Sequence, residues 1–252
     1  MLERIQNSAV SDVLYYGFHV LGFVSVFFFN IWYGRKRDIS PRTSALITLM
    51  VYSVTYVWIY IQFWAESGFT NFGGNNIVRG FVYVPLFVWP LSKLFKIPWS
   101  TLCDFVAPCV CLSHGVSHIG CIFDGCCAGY PCDWGIYNFR YQGNAFPNQL
   151  FEAATALLIV VYLVHHSKKR QYHTGGKAYP IMLILFGSTR FMWEFARNNE
   201  KIWLGCSSLA FHALFMAIVG LDVLLTITDR EYKRAQQAEA RSRYSAKRRK
   251  HK

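Results

Sequence analysis

Charge is scarce in this chain. Asp, Glu, Lys and Arg together make up 16% of its 252 residues, against about 25% in an ordinary soluble domain. Acidic residues are the scarcer sign, 14 against 26 basic ones. A water-exposed globule of this length needs far more polar surface to cover its core, so a soluble domain is excluded. A hydrophobic content of 53% excludes disorder. The length excludes a small secreted disulfide scaffold. No C-x-x-C pair occurs, which counts against a thiol oxidoreductase. No internal repeat is present either, and with it goes the symmetry of many transporters. What is plentiful is aromatic side chain, 17%, a share that suits membrane–water interfaces.

Long apolar runs account for most of the chain. A membrane-crossing helix needs roughly 20 mostly apolar residues. The pattern predicts seven: Val13–Tyr33, Thr43–Trp64, Ile77–Leu91, Trp99–Phe123, Asn148–Val164, Ala178–Ala196 and Leu204–Thr228. The first is too long for a signal-peptide core and lacks a small-residue cleavage pattern, so it is read as a helix. The third is short, carries Arg79 and is interrupted by Pro85 and Pro90, which leaves a re-entrant segment as its alternative. A Cys- and Gly-rich loop, Asp124–Pro147, joins the fourth and fifth spans.

Basic residues set the orientation. With the N-terminus outside, the inner connections and the C-terminal segment hold twenty Lys and Arg, and the outer segments hold four. The expectation is an all-α integral membrane protein of seven helices, N-out and C-in. Residues 1–228 form the membrane domain and 229–252 a basic cytoplasmic tail. That tail is read as resting on anionic lipid rather than on nucleic acid.

Ionisable groups inside a membrane are expensive and therefore candidates for function. This topology gathers Arg79, His114, His118, Asp124, Glu152, Arg190 and Glu194 into one outer-leaflet layer. Asp104 and Asp222 fall toward the inner face and are read as structural or interfacial. Arg190 and Glu194 lie four apart on one helix face. They form either a structural ion pair or a guanidinium poised for an anion, with Glu194 fixing its geometry. A guanidinium is the preferred fork for phosphate, so the layer points to a phospholipid headgroup.

Cys121, Cys126, Cys127 and Cys132 form C-x4-C-C-x4-C around the outer loop. Three readings stand: disulfides on an oxidising face, free thiols packed against glycine-rich backbone, or a metal site with His118 or Asp124. The spacing fits none of the usual zinc patterns, so neither a metal site nor a cofactor is assigned. Gly120, Gly125 and Gly129 permit tight turns and close backbone approach there.

Several stretches resemble motifs of the bacterial prolipoprotein diacylglyceryl transferases. Asp104-Phe-Val-Ala-Pro108 resembles the family's D-x-x-A-P. His118-Ile-Gly-Cys-Ile-Phe-Asp-Gly-Cys-Cys-Ala-Gly129 stands at the place of R-x-G-N-F-x-N-x-E-x-x-G, and Trp134-Gly135 resembles its WG. Phe146-Pro-Asn-Gln-Leu-Phe-Glu152 resembles H-P-[TS]-Q-L-Y-E. Arg190-Phe-Met-Trp-Glu194-Phe-Ala-Arg197 resembles R-F-x-x-E-F-x-R. Order and spacing over Val78–Arg197 carry the resemblance. It implies a seven-helix plasma-membrane enzyme that moves a diacylglyceryl group from phosphatidylglycerol to a cysteine thiol of a lipoprotein precursor. Glycerol phosphate is the group that leaves.

The resemblance also implies roles. Arg190 would hold the phosphate, with Glu194 as its partner acid and Glu152 and Gln149 in the cavity wall. Several positions depart from the family. His118 replaces its arginine, Cys121 and Asp124 its two asparagines, Cys126 its glutamate and Phe146 its histidine. Arg79-Gly80-Phe81 replaces its H-G-G stretch. Arg79 would then supply a phosphate contact, Asp124 a further substrate contact, and His118 or His114 the base. The competing readings are a catalytically silent lipid- or protein-binding membrane module and, last, a membrane thiol oxidoreductase.

Overall fold

A computed structural model describes residues 2–70 and 80–250. The elements run α1 (Leu2–Gln6), α2 (Val10–Arg35), α3 (Pro41–Glu66), α4 (Val84–Leu94), α5 (Trp99–Asp124), β1 (Pro131–Asn138), β2 (Gly143–Ala145), α6 (Asn148–Lys169), α7 (Ala178–Ala196) and α8 (Ser208–Lys250). Five of these, α2, α3, α5, α6 and α8, are long and apolar enough to cross a membrane. α4 is a shorter apolar helix. α7 has 19 residues and carries Arg190 and Glu194 on its buried side.

The surface is inverted relative to a soluble protein. Val13, Val20 and Phe28 of α2, Leu158 and Val161 of α6, and Phe215 of α8 are exposed, while the interior holds Asp104, Glu152, Arg190 and Glu194. Apolar surface on this scale is stable against lipid, not water. α5 is the most buried of the long helices. It packs against α2, α6 and α7, with α4 on its flank, while α3 lies on α2 and α8 on α7. Phe105 and Leu102 of α5 meet Tyr33, Ile47, Leu163 and Met182 in the core.

Local chemistry sets the helix ends. Ser40 caps α3 by accepting from the Thr43 N–H at 3.2 Å, and Pro41 takes the first position. α5 stops at Gly125, whose φ of +68° is the left-handed conformation that closes a helix. The entry to α7 is folded by Gly175 and Gly176, with φ of +65° and +89°. That turn aims the N–H groups of Gly176, Ala178 and Tyr179 at Asp104.

Some expectations are corrected. The third apolar segment, expected over Ile77–Leu91, has its helix over Val84–Leu94, while residues 71–79 lie outside the described part. Pro85 sits in the first turn of α4, where its missing N–H costs nothing. The Cys- and Gly-rich loop holds an antiparallel hairpin in which Ile136 pairs with Ala145 and Asn138 with Gly143. The last helix starts at Ser208 rather than Leu204 and runs unbroken to Lys250. Residues 229–250 therefore continue α8, and the Lys177–Glu231 ion pair ties the first of these turns to the loop before α7.

Candidate functional site

α5 presents His114 and His118 one turn apart on the same face, their rings stacked at 4.5 Å. α6 supplies Glu152. α7 supplies Arg190 and Glu194, and Arg197 is the residue that ends it. All six side chains are buried and form one cluster.

Glu152 is its centre. Arg197 grips the carboxylate as a fork, Nε donating to Oε1 at 2.7 Å and Nη2 to Oε2 at 2.8 Å. Asn148 Nδ2 donates to Oε1 at 2.6 Å. His118 Nε2 lies 2.9 Å from Oε2 and His114 Nε2 3.9 Å from it. Arg190 Nη1 is 3.4 Å from Oε1. Glu194 is the second acid. Its Oε1 accepts from Ser207 Oγ at 2.5 Å and Asn199 Nδ2 at 2.6 Å. Its Oε2 lies 2.5 Å from Arg190 Nη1, an ion contact without hydrogen-bond alignment. Two guanidiniums against two carboxylates balance, which makes four buried charges tolerable.

A cavity of about 470 Å³ adjoins the cluster, within the range of small-ligand sites. Arg190, Arg197, His114 and His118 face it, and both carboxylates lie behind them. Tyr15 and Tyr16 of α2 and Tyr56 of α3 line it too. Arg190 Nε and Nη1 and His114 Nε2 make no hydrogen bond among the described residues. The wall thus offers cationic donors, the chemistry that receives a phosphate.

The rim is built by the end of α5 and the loop after it. Asp124 lines the cavity and is held at 2.8 Å by the exposed Arg140. Cys121, Cys126 and Cys127 line it too, and all eight cysteines of the chain are free thiols. The neighbouring thiols of Cys121 and Cys126 hold the Cys127 pKa well below the ordinary range, against burial and with help from Arg197. Burial works against the charge on Arg197, but Cys127 and Glu152 more than offset it and keep the guanidinium ionised.

Of the residues singled out in the sequence, His114, His118, Glu152, Arg190 and Glu194 come together, with Asp124 at the rim. Gln149 stands behind the wall. Its amide donates to the Cys126 carbonyl at 2.7 Å and anchors the thiol loop. Arg79 lies outside the described residues. Phe146, at the place of a family histidine, stacks on Phe151 and meets Trp134 edge-on, so the imidazoles of this site come from α5. Arg197, Asn148, Asn199 and Ser207 are the members not assigned to the site from sequence. Arg197 had a signal: it is three residues from Glu194 and seven from Arg190, on the same helical stripe.

A sequence model of the prolipoprotein diacylglyceryl transferase family matches residues 8–226. The chain is similar to the phosphatidylglycerol–prolipoprotein diacylglyceryl transferase of Cupriavidus metallidurans, 26% identical over 218 residues that cover 75% of this chain and 78% of the relative. The enzyme of the same name from Cupriavidus pinatubonensis is 26% identical over 234 residues, 81% of this chain and 82% of the relative. That of Nitrosomonas europaea is 31% identical over 143 residues, 54% and 50%.

Proposed function

The chain belongs to the prolipoprotein diacylglyceryl transferase family, and from that premise we propose that it moves a diacylglyceryl group from phosphatidylglycerol to a cysteine thiol of a lipoprotein precursor, in a bacterial membrane. One observation carries the reading: Arg190, 3% exposed, faces the cavity with Nε and Nη1 making no hydrogen bond among the described residues, Nη1 being held only by its ion contacts with Glu194 and Glu152. A phosphodiester oxygen supplies the partner those donors lack. Buried donors left without a hydrogen bond are costly.

The reaction forms a C–S bond and breaks a C–O bond. The thiolate attacks the glycerol carbon that carries the phosphate ester, and glycerol phosphate leaves. The thiol proton passes to the stacked His114–His118 pair. Arg190 and Arg197 stabilise the charge on the departing phosphate. Glu194 orients Arg190, and Glu152 holds Arg197 and His118 in place. Asp124 accepts from the headgroup hydroxyls at the rim, and Gln149 positions the loop beside it.

The charge distribution supports seven spans, N-out and C-in, with the site in the outer leaflet. Residues 229–252 then form a basic tail along the cytoplasmic face of anionic lipid rather than a nucleic-acid-binding arm. A membrane-impermeant thiol reagent applied to intact cells tests this: it labels Cys126, Cys127 or Cys132 before lysis. Labelling only after lysis reverses the topology.

The activity is tested with purified protein in vesicles of phosphatidylglycerol carrying a label in the headgroup. Labelled glycerol phosphate is released when a peptide with an acceptor cysteine is added, and the peptide gains the lipid mass. Lipid binding by folded protein without release identifies a silent lipid-binding module instead.

A further inference from the structure

The transfer chemistry above uses the guanidiniums and the imidazole pair. It leaves the thiol cluster on the same cavity without a task. His118 and Cys121 lie three apart on α5 and share a face, with His118 Nδ1 3.8 Å from Cys121 Sγ. Gly125 then reverses the chain. Cys127 follows at a φ of +61°, a conformation uncommon for a residue with a side chain and one that has to be held by its surroundings. The donor atoms of His118, Cys121 and Cys127 all lie within 4.8 Å of one another.

We infer that His118 Nδ1, Cys121 Sγ and Cys127 Sγ bind a thiophilic divalent cation of the zinc type, leaving one coordination position toward the cavity. Zinc takes sulfur at about 2.3 Å and imidazole nitrogen at about 2.0–2.1 Å in a tetrahedron, so its ligand atoms stand roughly 3.5–3.8 Å apart. The His118–Cys121 separation of 3.8 Å is close to that spacing, and Cys127 lies within the same 4.8 Å, so a small contraction closes the set. A second, independent feature supports the site. A metal-bound histidine characteristically donates its other ring N–H to a carboxylate, and His118 Nε2 lies 2.9 Å from Glu152 Oε2. Nε and Nη2 of Arg197 also donate to Glu152, and Nη2 lies 3.1 Å from His118 Nε2, so Oε2 is shared between the guanidinium and the imidazole. The site has three protein ligands and an open position, the pattern of zinc sites that act on a substrate rather than on the fold.

The use of the site rests on the transferase reading; its existence does not. A thiol entering the open position binds as the thiolate, because a coordinated thiol is deprotonated. Its proton leaves to His114, the member of the imidazole pair without a metal, and its lone pair remains available for attack on carbon. The metal thereby selects a thiol acceptor over a hydroxyl.

The full chain, purified in detergent and equilibrated with zinc and then with metal-free buffer, is expected to keep one zinc per chain by elemental mass spectrometry. Cys121→Ser and Cys127→Ser each lose it, while Cys103→Ser and Cys206→Ser keep it. Cobalt in place of zinc gives a thiolate-to-metal absorption band that the first two variants lack. Should those variants fail to fold, the wild-type protein still decides: zinc slows alkylation of Cys121 and Cys127 by about tenfold or more, with Cys132 as the unprotected reference. Zinc retained by Cys121→Ser or Cys127→Ser, absence of stoichiometric zinc, or a disulfide between Cys121 and Cys127 overturns the site. Transfer that persists unchanged after zinc removal overturns the role and leaves the transferase reading standing. One bound zinc with no transfer leaves the site standing and overturns that reading.

Discussion

At one end of α5 the Asp104 carboxylate receives Thr174 Oγ1 and the N–H groups of Gly176, Ala178 and Tyr179. About 15 Å further along the same helix, His114 and His118 meet two carboxylates and two guanidiniums whose donors are not all used. Both places bury charge in the middle of an apolar bundle. At the first, four donors fill both oxygens of one acid, and the result is a fastening that joins α5 to the start of α7. At the second, Arg190 and His114 keep nitrogen atoms without hydrogen bonds beside a cavity. Saturation marks a group that holds the fold; incomplete pairing next to a cavity marks one that waits for a ligand.

The largest test of that contrast is Asp104→Ala. It orphans three buried N–H groups at the entry to α7 and is expected to cost roughly 3–5 kcal/mol of stability. Thermal unfolding in detergent reads the loss, while the turnover of molecules that remain folded stays near wild type. A stable Asp104→Ala protein that has lost turnover would move this end of α5 into the site.

Arg190→Lys is expected to do the reverse. A point charge cannot reproduce the fork, and loss of one well-placed donor to a transition state is worth about 100-fold in rate. Transfer in the vesicle assay falls by that order with an unchanged melting temperature. Full activity in a stable Arg190→Met/Glu194→Gln double variant would end the phosphate-site reading. Glu194→Gln alone keeps the shape and an acceptor for Ser207 and Asn199, so it costs less, on the order of tenfold.

The smallest effect belongs to the surface. Lys177→Ala removes the ion pair to Glu231, whose side chain is 49% exposed, and such pairs contribute at most about 1 kcal/mol. The melting temperature should barely move. A large drop would mean that the continuation of α8 past the apolar segment is integral to the bundle.

Five of the expected apolar runs were legible as long apolar helices because such runs end at charges, and the helix α7 matches the expected bounds Ala178–Ala196. His114, His118, Glu152, Arg190 and Glu194 were legible because an ionisable residue stands out in an apolar run and the helical repeat places it on a face. Arg197 was not assigned to the site, because one residue past a span a guanidinium reads as an interfacial topology charge. Asn148, Asn199 and Ser207 were hidden for a similar reason: short polar residues at helix ends read as caps. The hairpin escaped because β2 has three residues and β1 is irregular, with a register shift between Pro131 and Ile136. Only contact with the rest of the chain, such as Gln6 Oε1 accepting from the Phe139 N–H, makes so small a sheet persist.

Glu152 touches His118 on one oxygen and Arg197 on both, and that sharing makes two binding events one linked equilibrium. A metal ion bound at His118 would draw on the carboxylate and leave the guanidiniums less neutralised, so an anion in the cavity would be held more tightly. Reciprocity then requires the bound anion to strengthen the hold of His118 on its cation by the same factor. With a metal ion at His118, donor lipid and the ion that activates the acceptor thiol would favour each other's presence, and the bundle would be most ready for chemistry when both have arrived, in either order.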